Sequence, residues 1–279
     1  MKTVYSLYVL LAMISPDLFS QDQKVSLDQT HSKWINSRYV GDKFLIQCFI
    51  PDQQSVPADS LPIIFVLDSD MSFGLTYDVV RWLKWGEEIP YVAIIGISYG
   101  TGQIEWWDKR SRDYTPSKDQ TKIWGDWPNS GGGENFKKFL DLELFKFIKD
   151  EFKLKSEKRT IVGLSFGGLI CTDILFSNPD LFDNYIILGP TLLWNNKEIF
   201  NKETAFYESH KILNKNVFTA IGLLDDKNIT EPWNAFFTQV KFRKYSGLTL
   251  NTWIFDKETH LSMLPAGLTR GLKTVLNQK

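Results

Sequence analysis

A serine with glycines two residues away on both sides occurs once with the right surroundings, in Gly163-Leu164-Ser165-Phe166-Gly167-Gly168. It follows the β-branched run Thr160-Ile161-Val162 and leads into the small, apolar Gly168-Leu169-Ile170. A strand that turns sharply into a helix at a serine leaves the hydroxyl projecting from the turn, and glycines on both sides keep neighbouring backbone clear of it. The chemistry this permits is nucleophilic attack on a carbonyl. A hydroxyl needs a base to take its proton, and the base needs an acid to fix its tautomer. Of His31, His210 and His260, only His260 follows a late strand, in Glu258-Thr259-His260-Leu261-Ser262, where a loop can carry it over the serine. The acid is expected from the loop after the preceding strand, with Asp225 as first choice and Asp226 as second. The order Ser, Asp, His along the chain is that of hydrolases built on this elbow. The oxyanion donors expected are the N–H of Phe166, which opens the helix, and a backbone N–H after Leu67, either Asp70 or Ser69.

These residues need elements to hold them. Residues 31–40 and 43–50 read as an antiparallel lead-in pair of strands. Continuous apolar runs at 62–67, 91–97, 158–164, 185–188, 217–221 and 248–255 then alternate with helical patterns at 71–85, 134–152, 166–177, 232–245 and 263–276. This alternation gives an α/β fold with about eight strands, mostly parallel, and helices on both faces. Ligands of such sheets bind at the carboxyl ends of the strands. Asp68, Ser165, Asp225 and His260 all fall just after expected strands. Residues 98–133 lose the periodicity and carry Trp106, Trp107, Trp124 and Trp127, as expected of a functional insertion.

With 279 residues and a formal net charge of -1, the chain suits one large domain and has no bulk attraction for nucleic acid. Residues 1–20, with Lys2, an apolar run from Val4 to Ile14 and polar residues from Gln21, have the layout of a signal peptide cleaved after Ser20. The expected location is therefore periplasmic or secreted, with residues 21–279 as the mature domain and no stable membrane insertion. Cys48 and Cys171 match no zinc or redox spacing and read as buried small hydrophobes. The three scattered histidines give no metal site.

Several further stretches carry a resemblance: Phe65-Val66-Leu67-Asp68, Arg110-Ser111-Arg112-Asp113-Tyr114-Thr115-Pro116, Gly132-Gly133-Glu134-Asn135-Phe136, Asn178-Pro179-Asp180-Leu181-Phe182, Gly189-Pro190-Thr191-Leu192-Leu193-Trp194 and His260-Leu261-Ser262. Together with the elbow, they make most of the mature chain resemble the bacterial esterase family of the α/β-hydrolase superfamily that includes siderophore trilactone esterases of the enterochelin type. The resemblance implies ester hydrolysis without metal or other cofactor, with Ser165 as nucleophile and His260 as base. Leu164 and Ser69 depart from the family pattern, which usually has a polar residue and a glycine there.

The expected substrate is a small-molecule ester, with aryl, feruloyl or catecholate-siderophore esters favoured by the aromatic insertion. A carbohydrate acetyl esterase, and a ligand-binding member of the fold without turnover, are the alternatives. In the Arg110–Asp113 stretch, pairing of Arg110 or Arg112 with Asp113 is the preferred reading, and a clamp for an anionic substrate is the second. Trp194 is equally suited to stacking on a substrate ring and to filling a pocket wall.

Overall fold

The computed structural model describes residues 26–52, 57 and 60–277. The expected signal peptide and its cleavage point lie outside them. The short β-branched apolar runs form strands whose residues are buried on both faces. These are β3 (Ile63–Val66), β4 (Ala93–Ser98), β5 (Arg159–Leu164), β6 (Asn184–Leu188) and β7 (Asn216–Gly222). The flanking β1 (Thr30–Ser37) and β8 (Thr249–Phe255) are exposed along much of their length, as edge strands are. With β2 (Asp42–Phe49) they form one eight-stranded sheet in the order β1-β2-β4-β3-β5-β6-β7-β8. Pairings β1–β2 and β2–β4 are antiparallel, and the rest are parallel. The parallel register aligns Val66 with Val162, Leu164 with Leu188 and Gly222 with Phe255. One rim therefore carries the exits of β3, β5, β6, β7 and β8.

Helices cover both faces. On one lie α1 (Ser69–Trp85) and α8 (Leu264–Leu276), contributing Phe73, Tyr77, Val80, Leu268 and Leu272 to a core with Ile64, Val66, Ile186 and Phe218. On the other lie α2 (Gln103–Asp113), α3 (Gly133–Phe139), α4 (Phe145–Phe152), α5 (Phe166–Ser177), α6 (Trp194–Ser209) and α7 (Lys227–Arg243). Helices α3 and α4 run on through a π turn at Leu140–Leu144, so the single helix expected over 134–152 carries a bulge. Among the described residues no helix is long and apolar enough to cross a membrane.

The structure departs from the sequence reading in three places. Residues 98–133 are not structureless, because α2 occupies their first half. Its buried residues are Trp106, Arg110, Ser111 and Asp113, and with three of the four polar or charged no hydrophobic pattern reveals the helical period. Helix α6 was not expected; it buries only Trp194, Ile199 and Glu203, and its start passes through left-handed Asn195, Asn196 and Lys197. Helix α7 begins five residues before Pro232, because Asp226 caps it by accepting the Asn228 N–H at 2.7 Å.

Cys48 and Cys171 are both free and buried. Burial pushes the Cys48 thiol up to about 12 and raises Cys171 too, the Asp68 charge adding to the latter. Neither is set up as a nucleophile.

Candidate active site

Ser165 stands between β5 and α5 with φ 61° and ψ −117°, a conformation that costs a non-glycine residue energy. The surrounding backbone holds it there. Its N–H donates to the Leu188 carbonyl at 3.0 Å, and its carbonyl accepts from Leu169 N–H at 2.9 Å. Strand and helix approach so closely that a Cβ on Gly163 would overlap the Gly167 carbonyl and lie 2.8 Å from Cys171 Sγ. Phe166 is the first residue of α5, so its N–H has no intrahelical acceptor and faces outward from a helix N-terminus.

His260 comes from the loop after β8, the edge strand, yet reaches the middle of the rim. The loop crosses β7, where Leu224 N–H donates to the Glu258 carbonyl at 2.9 Å. The imidazole ends against Gly189, the residue after β6, where an added Cβ would meet His260 Nδ1 at 3.0 Å. Glycine is required here, since φ is also +45°. The histidine thus sits over β6, between Ser165 on β5 and the acid on β7. Of the two candidates for that acid, Asp225 is the one that meets the ring: its Oδ2 lies 2.8 Å from His260 Nδ1, with 2% of the side chain exposed against 27% for the histidine. Asp226, the other candidate, is the α7 cap and turns away. A carboxylate on Nδ1 holds the neutral ring in the tautomer that leaves Nε2 free to accept a proton.

On the opposite side, Asp68 takes a left-handed conformation (φ 53°) and turns the chain from β3 into α1. Its N–H donates to Tyr114 Oη at 3.3 Å. Ser69 and Asp70 open α1, where N–H groups have no intrahelical acceptor. The Asp70 carboxylate is engaged elsewhere, accepting from Ser98 Oγ at 2.7 Å, Tyr99 N–H at 3.0 Å and Gly100 N–H at 2.9 Å. This staple of α1 to the exit of β4 was not legible in the sequence.

The three candidate substrate contacts, Arg110, Arg112 and Trp194, are all engaged within the protein. Arg112 forms a two-bond pair with Asp113 (2.7 and 2.9 Å) and a third bond to Asp42 at 3.0 Å, as the internal-pairing reading expects. Asp113 is buried, which raises its carboxyl pKa even against Arg112. Arg110 pairs with Asp68 rather than Asp113, at 2.8 Å through Nε and 2.8 Å through Nη2, and is 3% exposed. Burial works against its charge, but Asp68 more than offsets this and keeps the guanidinium above its ordinary range. Neither arginine is free to clamp an anion. Trp194 is 1% exposed, its indole N–H donating to the Ser117 carbonyl at 3.1 Å and its ring edge-on to Phe166 at 5.2 Å. It fills the wall beneath Ser165 instead of offering a face to a ligand.

The family model described as "Putative esterase" matches residues 37–245, well over half of the chain. The chain belongs to this esterase family. It is 28% identical over 262 residues to the ferri-bacillibactin esterase BesA of Bacillus subtilis, covering 89% of this chain and 90% of that one. Among solved structures it is similar to the BES protein of Bacillus cereus, with a TM-score of 0.82, 26% identity and coverage of 92% of this chain and 98% of the other. The siderophore hydrolase EstA of Aspergillus nidulans shares the fold at 15% identity, with a TM-score of 0.77 over 92% of this chain and 99% of that one. The esterase is thus a carboxylic ester hydrolase on the α/β-hydrolase fold.

Proposed function

We propose that the esterase cleaves its substrates through an acyl-enzyme on Ser165, with His260 as general base and Asp225 as its orienting acid. The observation that carries this is the 2.8 Å Asp225–His260 contact, built over β6 next to a strained serine on the neighbouring strand end. Ser165 Oγ attacks the ester carbonyl as His260 Nε2 takes its proton. The tetrahedral oxyanion is held by the N–H groups of Phe166 and of Asp70 or Ser69. Collapse expels the alcohol, which receives the proton from His260, and a water activated by the same imidazole then releases the acid.

The substrate reading is an aryl or catecholate ester, including feruloyl esters and siderophore trilactones. Trp107 is 39% exposed and stacks on Trp127 at 6.0 Å, and Trp127 meets the buried Phe166 edge-on at 5.7 Å, so a chain of ring contacts runs from an exposed ring of the insertion to the residue after Ser165. That the Bacillus subtilis relative is a ferri-bacillibactin esterase supports a siderophore ester within this class. Aromatic area is the basis of this reading, not charge, because Lys109 and Arg110 are neutralised by Asp42, Glu105 and Asp68. The expected result is a kcat/KM for feruloyl esters or catecholate trilactones ~100-fold above that for p-nitrophenyl palmitate, as two or three well-placed contacts can supply. Equal turnover of the palmitate ester overturns the substrate reading. A preference for acetyl esters alone moves it to carbohydrate deacetylation.

Export is part of the same proposal. It rests on Lys2, the apolar run from Val4 to Ile14 and the polar Gln21-Asp22-Gln23. N-terminal sequencing of protein recovered outside the cytoplasm is expected to begin at Gln21, and retention of Met1 there would refute it.

A further inference from the structure

The two most exposed tryptophans among the described residues stand side by side, far from Ser165. Trp82 is 67% exposed and Trp85 79%, and their rings meet edge-on at 5.4 Å near the end of α1. Helix α1 has 17 residues, so its last turn lies roughly 25 Å from the rim at which it begins. A cleft of about 810 Å³ opens beside the indoles, between the last turns of α1 and the end of β2. Phe49, at that end of β2, pairs with Ile94 near the start of β4, which places the cleft at the edge of the sheet opposite the catalytic rim. Its size is that of a small-ligand site.

The lining combines an apolar floor with free polar groups. Phe49, Val80 and Val92 are buried and form the floor. Asp78, Arg81 and Glu87 stand around it, and their side chains form no hydrogen bond or ion pair with any described residue. On the catalytic side, by contrast, Lys109, Arg110 and Arg112 are all paired with carboxylates. Free carboxylates accept hydrogen bonds and a free guanidinium donates them, and a hydroxyl can satisfy both kinds at once. The face of an indole carries partial negative charge and attracts the positive C–H groups on the face of a saturated ring. A pyranose offers both features, hydroxyls around its edge and C–H groups on its face. Ionic ligands fit less well. Asp52, Asp78 and Glu87 oppose an anion, while Arg81 and Lys84 oppose a cation and already lie against the rings of Tyr77 at 5.0 Å and Tyr91 at 4.2 Å.

We propose that this cleft is a second, noncatalytic site that binds a neutral glycan, with a sugar ring stacked on the Trp82–Trp85 pair and its hydroxyls held by Asp78, Arg81 and Glu87. Bound there, a polysaccharide holds the esterase in place and leaves the catalytic rim, at the other end of α1, open to substrate. The assignment does not depend on which residue is the nucleophile.

The test titrates the full chain with cellohexaose, maltohexaose and N-acetylchitohexaose up to ~10 mM, reading tryptophan fluorescence and retardation in gels cast with the matching polysaccharide. At least one glycan is expected to bind. Trp82→Ala and Trp85→Ala should each weaken it ~10-fold, Asp78→Ala about as much, and the double tryptophan variant should show no binding. Both indoles are exposed, so the double variant should keep its thermal midpoint within ~2 °C and hydrolyse a chromogenic aryl ester at the parent rate. Failure of all three glycans to bind, or undiminished binding by the double tryptophan variant, would overturn the proposal. Unchanged binding by Asp78→Ala would overturn the assignment to a hydroxylated ring. Loss of binding after the catalytic serine is blocked with a fluorophosphonate would move the glycan to the catalytic cleft. A dimer in sedimentation velocity that the double variant abolishes would give this face to a second copy of the chain instead. Inactivity of the parent on esters would count against Ser165 and leave the glycan titration to decide this site by itself.

Discussion

Ser165→Ala and His260→Ala should each lower kcat by about a million-fold, and the double variant should be no worse than either, because a nucleophile and its base act as one unit. Removing the serine leaves the base nothing to deprotonate. Removing the histidine leaves a hydroxyl that stays protonated at neutral pH. Asp225→Ala should cost less, about ten-thousand-fold, since a histidine without its acid still visits the productive tautomer part of the time. Asp226→Ala serves as the contrast. It removes a helix cap, whose 2.7 Å bond to Asn228 N–H is worth about 1 kcal/mol of stability, and should leave kcat near that of the parent. Steady-state hydrolysis of a chromogenic aryl ester measures all five variants. Multiplicative losses in the Ser165/His260 pair, or a larger loss at Asp226 than at Asp225, would dismantle the assignment.

Gly163→Ala is expected to be the most damaging single-methyl addition near the site. The new Cβ would overlap the backbone carbonyl of Gly167 and press on Cys171 Sγ at 2.8 Å. Backbone cannot rotate away as the tip of a side chain can, and β5 is held by parallel neighbours on both sides, β3 and β6. Relief must therefore come from sliding α5 off the sheet, which opens the core around Leu169 and Ile170, both fully buried. Overpacking against fixed backbone belongs to the severe tail of single substitutions, about 4 kcal/mol or more, so the urea midpoint should fall by ~1 M or more. The hydrolytic rate per folded molecule should drop with it, because the shift in α5 carries Phe166 N–H out of line. An unchanged urea midpoint would show that strand and helix are not packed this closely.

The elbow could be found from the sequence because everything that makes it work lies within a few residues: an apolar strand, a serine, and glycines where strand and helix nearly touch. The alternating sheet was legible for a similar reason. Strands buried on both faces must be short apolar runs, and the eight-stranded sheet has them at β3 to β7. His260 could be singled out by elimination, with only three histidines in the chain.

Other features depended on contacts between distant parts of the chain. Asp225 and Asp226 are adjacent and chemically identical; which one meets the imidazole is decided by α7, which claims Asp226 as its cap and leaves Asp225 facing the loop from β8. Asp113 was read as the partner of Arg110 or Arg112; it takes Arg112, and the fold brings Asp68 from the end of β3 to Arg110. The helix that delivers Arg110 was itself hidden, since a buried ion pair replaces the apolar residues that normally reveal a buried helical face. The sequence by itself therefore determined the esterase's reaction class and its strand plan, because both are encoded in short stretches with strict steric demands. Which charges pair, and which ring faces the substrate or the core, was left to the tertiary structure, because such partners are chosen by burial and by strand order rather than by position in the chain.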